Sequence, residues 1–210
     1  MPEVFELAGP DEEALKAAED ALSAGEVVVF PTDTVYGLAA RPDLPLATDR
    51  LFEVKQRPRD LTLPVLVATV DSAAGVAEFD ARASALASRF WPGGLTMVLR
   101  RTAVAREWDL GDERRTVGVR IPDHEVSLSL LSRTGPLAVT SANPSGEPTP
   151  VTCADVRASL GALVAVYLCS GAATGVVPST VVDLTGDEAR ILRAGAIAPD
   201  AVLGAIRRAV

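Results

Sequence analysis

Residues 25–38 read Gly25-Glu26-Val27-Val28-Val29-Phe30-Pro31-Thr32-Asp33-Thr34-Val35-Tyr36-Gly37-Leu38. The unbroken apolar run from Val27 to Phe30 predicts a buried strand, because a strand covered on both faces needs no polar alternation. Pro31 ends it, since proline donates nothing to a sheet ladder. Upstream, Asp11 to Ala24 predicts an amphipathic helix: Ala14, Leu15, Ala18, Ala21 and Leu22 share one face, and Gly25 supplies the stop. Helices and strands continue to alternate along the remainder, with no internal repeat.

Helices are expected over residues 48–56, 80–90, 125–132, 152–160 and 199–209. Strands are expected over 63–67, 95–99, 116–121, 137–140, 164–168, 180–184 and 189–192. Several strands follow one another with no helix between them, so the expectation is an α/β fold on a mixed sheet. One domain over residues 1–210 is expected at this length. The polar segment from Thr102 to Arg115 reads as a mobile loop.

Of the 210 residues 48% are hydrophobic and 23% charged, an ordinary globular balance. No apolar run reaches the roughly 18 residues of a membrane span, and Met1-Pro2-Glu3-Val4 does not start a signal peptide. Cys153 and Cys169 sit in no metal-binding spacing, which points to a reduced, cytoplasmic protein. A net charge of −8 and 4% aromatic residues give no support to a general nucleic-acid surface, so weak or no direct tRNA binding is expected. The single histidine, His124, excludes a histidine-clustered metal site within the chain and reads as a capping or surface residue.

Four constellations carry chemistry. Thr32, Asp33, Thr34 and Tyr36 follow a strand end, where ligands bind in α/β folds; they suit a small polar molecule, or equally a turn bonding its own backbone. Lys55-Gln56-Arg57-Pro58-Arg59 alternates three cations, which form an anion site if the backbone is extended and a solvated helix end otherwise. Only two of the chain's 20 basic residues are lysines, Lys16 and Lys55, so Lys55 marks a place where a compact ammonium is useful. Ser141-Ala142-Asn143-Pro144-Ser145-Gly146 can present amides and hydroxyls to phosphate as a nest, or be a plain loop, and residues 175–180 read similarly. Arg120 and Arg193 close strands, as carboxylate or phosphate ligands or as ordinary surface residues. There is no P-loop, GxGxxG or GxSxG pattern, which disfavours a conventional hydrolase or dehydrogenase.

In order and spacing, PTDTVYGL at 31–38, KQRP at 55–58, WPGGLT at 91–96, VGVRIP at 117–122, TSANPSG at 140–146, PSTVVD at 178–183 and ILRAG at 191–195 resemble the YrdC-type threonylcarbamoyl-adenylate synthase family. The resemblance covers nearly the whole chain. It implies a twisted sheet with flanking helices around a concave, positively charged groove. It implies an enzyme that joins L-threonine, bicarbonate and ATP, releases pyrophosphate, and passes the adenylate to a separate tRNA threonylcarbamoyl transferase. It places Lys55, Arg57, Ser141, Asn143 and Arg193 on the nucleotide side, with Lys55 and Arg57 catalytic. Thr32, Thr34, Tyr36, Arg120 and Ser179 fall to threonine. Mg²⁺ is expected through the nucleotide's phosphates, with no metal site of the protein's own. Two departures stand out: Leu61-Thr62 replaces a polar residue and proline, and Leu66 stands where some members carry histidine. The chain's end at Val210 suggests the short, single-domain type. The rival readings are a related carbamoyl-adenylate enzyme with another acceptor, a non-catalytic RNA-binding module, and an inactive interaction subunit.

Overall fold

The computed structural model describes residues 1–171 and 177–208. The strands are β1 (Glu3–Glu6), β2 (Val28–Phe30), β3 (Gly37–Ala40), β4 (Val65–Leu66), β5 (Leu95–Arg100), β6 (Thr116–Arg120), β7 (Leu137–Ser141), β8 (Val166–Cys169), β9 (Thr180–Asp183) and β10 (Arg190–Arg193). The helices are α1 (Glu12–Ser23), α2 (Pro45–Lys55), α3 (Val70–Val76), α4 (Ala81–Phe90), α5 (Ala103–Arg106), α6 (Glu125–Thr134), α7 (Cys153–Leu160) and α8 (Pro199–Ile206). All ten strands join one mixed sheet in the order β1-β8-β2-β3-β7-β4-β6-β5-β9-β10. Neighbours are parallel at β1/β8, β8/β2, β4/β6 and β5/β9, and antiparallel elsewhere.

The two faces of the sheet are treated differently, and that difference makes the site. One face carries a core to which α2, α3, α4, α7 and α8 contribute Leu51, Val76, Leu86, Val156 and Val202. On the other face, α1 and α6 cover Val28, Phe30, Ala39, Leu137, Val166 and Leu168. That second cover stops short of β5 and β6. Along β5, Leu95, Met97 and Leu99 point into the first core, while Thr96 and Val98 alternate to the opposite side and line a cavity. On β6, Val117 and Val119 are core, whereas Thr116 and Gly118 line the same cavity. Burying such an apolar face contributes about 25 cal/mol per Å²; the threonines and glycine opposite leave a floor that tolerates water and polar ligands.

Local chemistry explains most boundaries. Asp11 and Asp80 accept from Ala14 N and Ala83 N, capping α1 and α4. Thr152 accepts from Asp155 N at the start of α7. Helix α2 begins three residues earlier than the periodicity predicts, because Pro45 already has the φ of a first helical residue. It ends at Lys55, where Gln56 turns left-handed at φ 50°.

Three expectations are corrected here. The segment 102–115 is not a loose loop: it holds α5, buries Leu110, and is bound by Arg101, which is fully buried. Arg101 donates to the carbonyls of Thr116 (2.8 Å), Trp108 (3.1 Å) and Glu113 (2.5 Å). Cys153 and Cys169 are not separate thiols; they form a disulfide, since the start of α7 packs against the end of β8 with the Cα atoms 5.5 Å apart. Residues 55–59 are not extended, so the three cations diverge. Arg59 turns away to Asp49 and Asp109 and lies 4.6 Å over the Phe52 ring. Residues 175 and 176, and Ala209 of the last predicted helix, lie outside the described residues.

Candidate functional site

The open part of the second sheet face is a groove with two lobes of about 260 and 320 Å³. Arg57, Pro64, Thr96, Ser179 and Arg193 border both lobes. Thr32, Thr34, Leu66, Arg120, Thr140 and Ser141 belong to the first. A Cβ at Gly118, on the floor of the second, would lie 3.1 Å from Thr96 Cγ2 and 3.4 Å from Pro64 Cβ, so glycine keeps the floor open. Among the described residues none of those lining either lobe is a carboxylate.

Arg120 anchors the inner end. It is only 6% exposed. Its Nε donates to Gly93 O (2.9 Å), one terminal nitrogen donates to Thr34 Oγ1 (2.9 Å), and the other pairs with Asp33. Among the described residues three of its five N–H groups are engaged. Burial pushes its acidity up, and Asp33 opposes that by favouring the charged form. The Thr32 hydroxyl beside it has a fixed direction. It donates its one proton to Val35 O (2.6 Å) and accepts from the amides of Thr34 and Val35 (both 3.2 Å), which fill its two lone pairs and leave the 3.1 Å approach of Thr34 Oγ1 a close contact. Thr34 Oγ1 accepts from Arg120 and keeps one acceptor site free.

Lys55 is built into the wall. It is 3% exposed, and its ammonium donates to Ser141 O (2.7 Å), Ser141 Oγ (3.0 Å) and Asn143 Oδ1 (2.5 Å). All three protons have acceptors. Burial first, and the neighbouring Arg57 second, pull its pKa down to about 8. Because Ser141 Oγ accepts from Lys55, its own proton is left to donate into the cavity. The main chain holds this contact in place, since Ser145 N donates to Lys55 O (2.7 Å), and β3 pairs with β7 as Gly37 opposite Ser141, which brings the end of one motif beside the start of another.

Arg57 and Arg193 face each other across the outer half. Arg57 is held by the carbonyls of Leu61 (2.8 Å) and Thr62 (3.2 Å). Using main-chain oxygens makes this contact independent of the side chain at position 61. Arg193 donates to Ser179 O (3.0 and 2.9 Å) and Ser179 Oγ (3.1 Å), and Ser179 Oγ also contacts Thr96 Oγ1 (2.8 Å). A Cβ at Gly195 would fall 2.2 Å from Pro178 O, so only glycine lets residues 194–196 pack on 178–179 and bring Arg193 to Ser179. Desolvation lowers the pKa of both arginines, and Arg193 adds to the effect at Arg57.

Of the predicted residues, Thr32, Thr34, Arg57, Arg120, Ser141, Ser179 and Arg193 line one groove, with Lys55 directly behind Ser141. Two do not reach it. Tyr36 is fully buried, and its hydroxyl donates to Gly171 O (2.7 Å) and accepts from Ser170 N (3.0 Å), tying β3 to the end of β8. Asn143 is buried between Lys55 and Glu147 O, to which its Nδ2 donates at 2.6 Å. Within the predicted phosphate nest, the amides of Ala142, Asn143 and Ser145 are engaged, donating to Tyr36 O, Ser141 O and Lys55 O. Sequence reasoning missed Thr96, Thr116 and Thr140 as lining groups and Asp33 as the partner of Arg120. The polar-out alternation of Thr96 and Thr116 against apolar neighbours was the available signal for two of them.

Comparison with known proteins follows the same lines. The Sua5/YciO/YrdC family, described as "Telomere recombination", matches residues 20–195. A Mycobacterium tuberculosis protein, provisionally named a threonylcarbamoyl-AMP synthase, is 41% identical over 205 residues, covering 96% of this chain and 94% of its own. The Bacillus subtilis threonylcarbamoyl-AMP synthase is 37% identical over 209 residues, covering 96% of this chain and 59% of its own. The crystal structure of Pyrococcus abyssi Sua5 complexed with L-threonine aligns with TM-score 0.86 and 32% identity over 98% of this chain and 60% of that one.

Proposed function

The chain belongs to the Sua5/YciO/YrdC family, and from that membership and the groove's lining we propose that it is a nucleotidyltransferase making threonylcarbamoyl-adenylate from L-threonine, bicarbonate and ATP, for tRNA modification. The observation that carries the reading is the convergence of Arg57, Arg120 and Arg193 with the Ser141 and Ser179 hydroxyls on one hollow without a lining carboxylate among the described residues.

The chemistry needs no enzyme nucleophile. The amine of threonine attacks CO₂ derived from bicarbonate, forming an N–C bond and losing a proton. The new carbamate oxygen then attacks the α-phosphorus of ATP, the bond to the bridging oxygen breaks, and pyrophosphate leaves. Charge accumulates on oxygen in both steps, and a preorganised set of donors stabilises it most where water is excluded. The other two N–H groups of Arg120 take the amino acid's carboxylate, and the free acceptor site of Thr34 takes its hydroxyl or amine proton. Arg57, Arg193 and the Ser141 proton take phosphate oxygens, with Lys55 orienting Ser141 and adding positive charge behind it. Ser179, bonded to both Arg193 and Thr96, lies at the boundary of the two lobes.

Among the described residues no three histidine, cysteine or acidic side chains group to hold a metal ion. None of the described residues lining the groove is a carboxylate. A magnesium ion arriving with ATP is held by phosphates and water. Among the described residues no helix is long and apolar enough to cross a membrane; the reading places the protein in the cytoplasm, with a separate tRNA transferase taking up the adenylate. The test is pyrophosphate release with ATP and bicarbonate, with and without L-threonine. Release that requires threonine supports the assignment; release indifferent to threonine rejects it in favour of another acceptor.

A further inference from the structure

Beyond the second lobe lies another hollow, of about 740 Å³, which shares Thr116 with the groove. It is lined by Arg100, Arg106, Arg114, Arg115, Thr116 and Thr185. In a chain of net charge −8 this is a concentration of cations against the general composition. The wall is fixed rather than pendant. Arg101 lies buried beneath it and ties Trp108, Glu113 and Thr116 together through their carbonyls. Among the described residues Arg101 makes no ion pair, so its charge adds to the hollow's field.

The four lining arginines are only loosely neutralised. Arg106, Arg114 and Arg115 meet Glu78, Asp109 and Glu113 at 3.4, 3.3 and 3.6 Å, and more than half of each arginine side chain is exposed. Exposed pairs of this kind contribute little and exchange readily. Among the described residues the Arg100 side chain makes one hydrogen bond, a 3.4 Å approach to Thr185 O. Planar guanidinium forks match phosphate oxygens two at a time, and hydroxyls complete such a shell. A concave site of this size fits a small molecule.

We infer that this hollow is a second anion site, for a compact ligand carrying two or more phosphate groups. The test uses pyrophosphate as probe, titrated by calorimetry into three full-length proteins: the unmodified chain, an Arg100→Ala/Arg114→Ala/Arg115→Ala variant, and a groove variant, Arg57→Ala/Arg193→Ala. The substituted arginines in the hollow are exposed, so folding is little affected. The expected result is that the groove variant keeps one pyrophosphate site, which weakens about tenfold or more in the hollow variant. Amide shifts at residues 100, 106, 114–116 and 185 on addition of pyrophosphate to the groove variant are expected as well. Unchanged stoichiometry and affinity in the hollow variant overturn the inference. So does equal competition by sulfate at matched ionic strength, which shows mere charge screening, and so does preferential binding of a short RNA duplex at these residues.

Discussion

Replacing Lys55 by methionine removes the one ammonium in the groove wall while keeping its volume, and the structure allows both consequences to be worked. In the folded chain burial brings the lysine's pKa from 10.5 down to about 8, so its charged form carries a penalty of roughly 3 kcal/mol near neutral pH. Methionine removes that penalty. Against it, three acceptors on Ser141 and Asn143 lose their donor, at about 1–3 kcal/mol for each that stays buried and unmet. Ser141 Oγ faces the cavity and recovers water, so the net destabilisation lies between about −1 and 3 kcal/mol. For a chain of this length that lowers Tm by at most about 12 °C. The effect on chemistry is larger. Loss of a desolvated donor and charge beside the phosphates, together with misorientation of Ser141, costs about 10² to 10³ in rate. The assays are threonine-dependent pyrophosphate release and thermal unfolding of the same preparation. A folded Lys55→Met protein that turns over at the normal rate refutes the role given to this lysine.

The same lysine sets a pH dependence. Its folded pKa lies below its unfolded value, so between about pH 8 and 10.5 the unfolded chain binds more protons and stability rises with pH. Urea unfolding of the unmodified chain relative to Lys55→Met should show that rise, and a flat difference contradicts it. Nucleotide phosphates favour the charged ammonium, so ATP binding near pH 8.5 should take up a proton, seen as buffer-dependent enthalpy in calorimetry. Asp33→Asn removes the partner that holds Arg120, and should raise KM for threonine about tenfold or more with a smaller change for ATP; equal changes in both point to a general fold defect. Gly195→Ala drives a Cβ into Pro178 O, and should separate Arg193 from Ser179 and lower stability by about 2–4 kcal/mol, measured by denaturant midpoint.

The residues that declared themselves in the sequence did so because their chemistry is local. Val27 to Phe30 is a buried strand by composition, and Asp11 and Asp80 cap helices through amides three residues away. Short strands with mixed or weak patterning gave less. β1 sets an adjacent apolar pair between exposed glutamates over only four residues, and β3 hides inside a motif read for its hydroxyls. Helix α3 is seven residues long and contains Gly75, too short for a clear period. The site was legible as a set of residue types, but direction was not. Tyr36 looks like a ligand until the register of β3 buries it, and Asn143 until Lys55 captures its oxygen. Arg101 is one arginine among many on paper. Its burial depends on segment 102–115 folding back on it, a long-range fact that no local spacing encodes.

The most direct measurement incubates the purified chain with ATP, isotopically labelled bicarbonate and L-threonine, in parallel with serine, valine and no amino acid, and resolves the products by mass. The account predicts one adenylate carrying both the label and threonine, formed in step with pyrophosphate and greatly diminished without threonine. An unlabelled adenylate, or the same yield whichever amino acid is supplied, contradicts it.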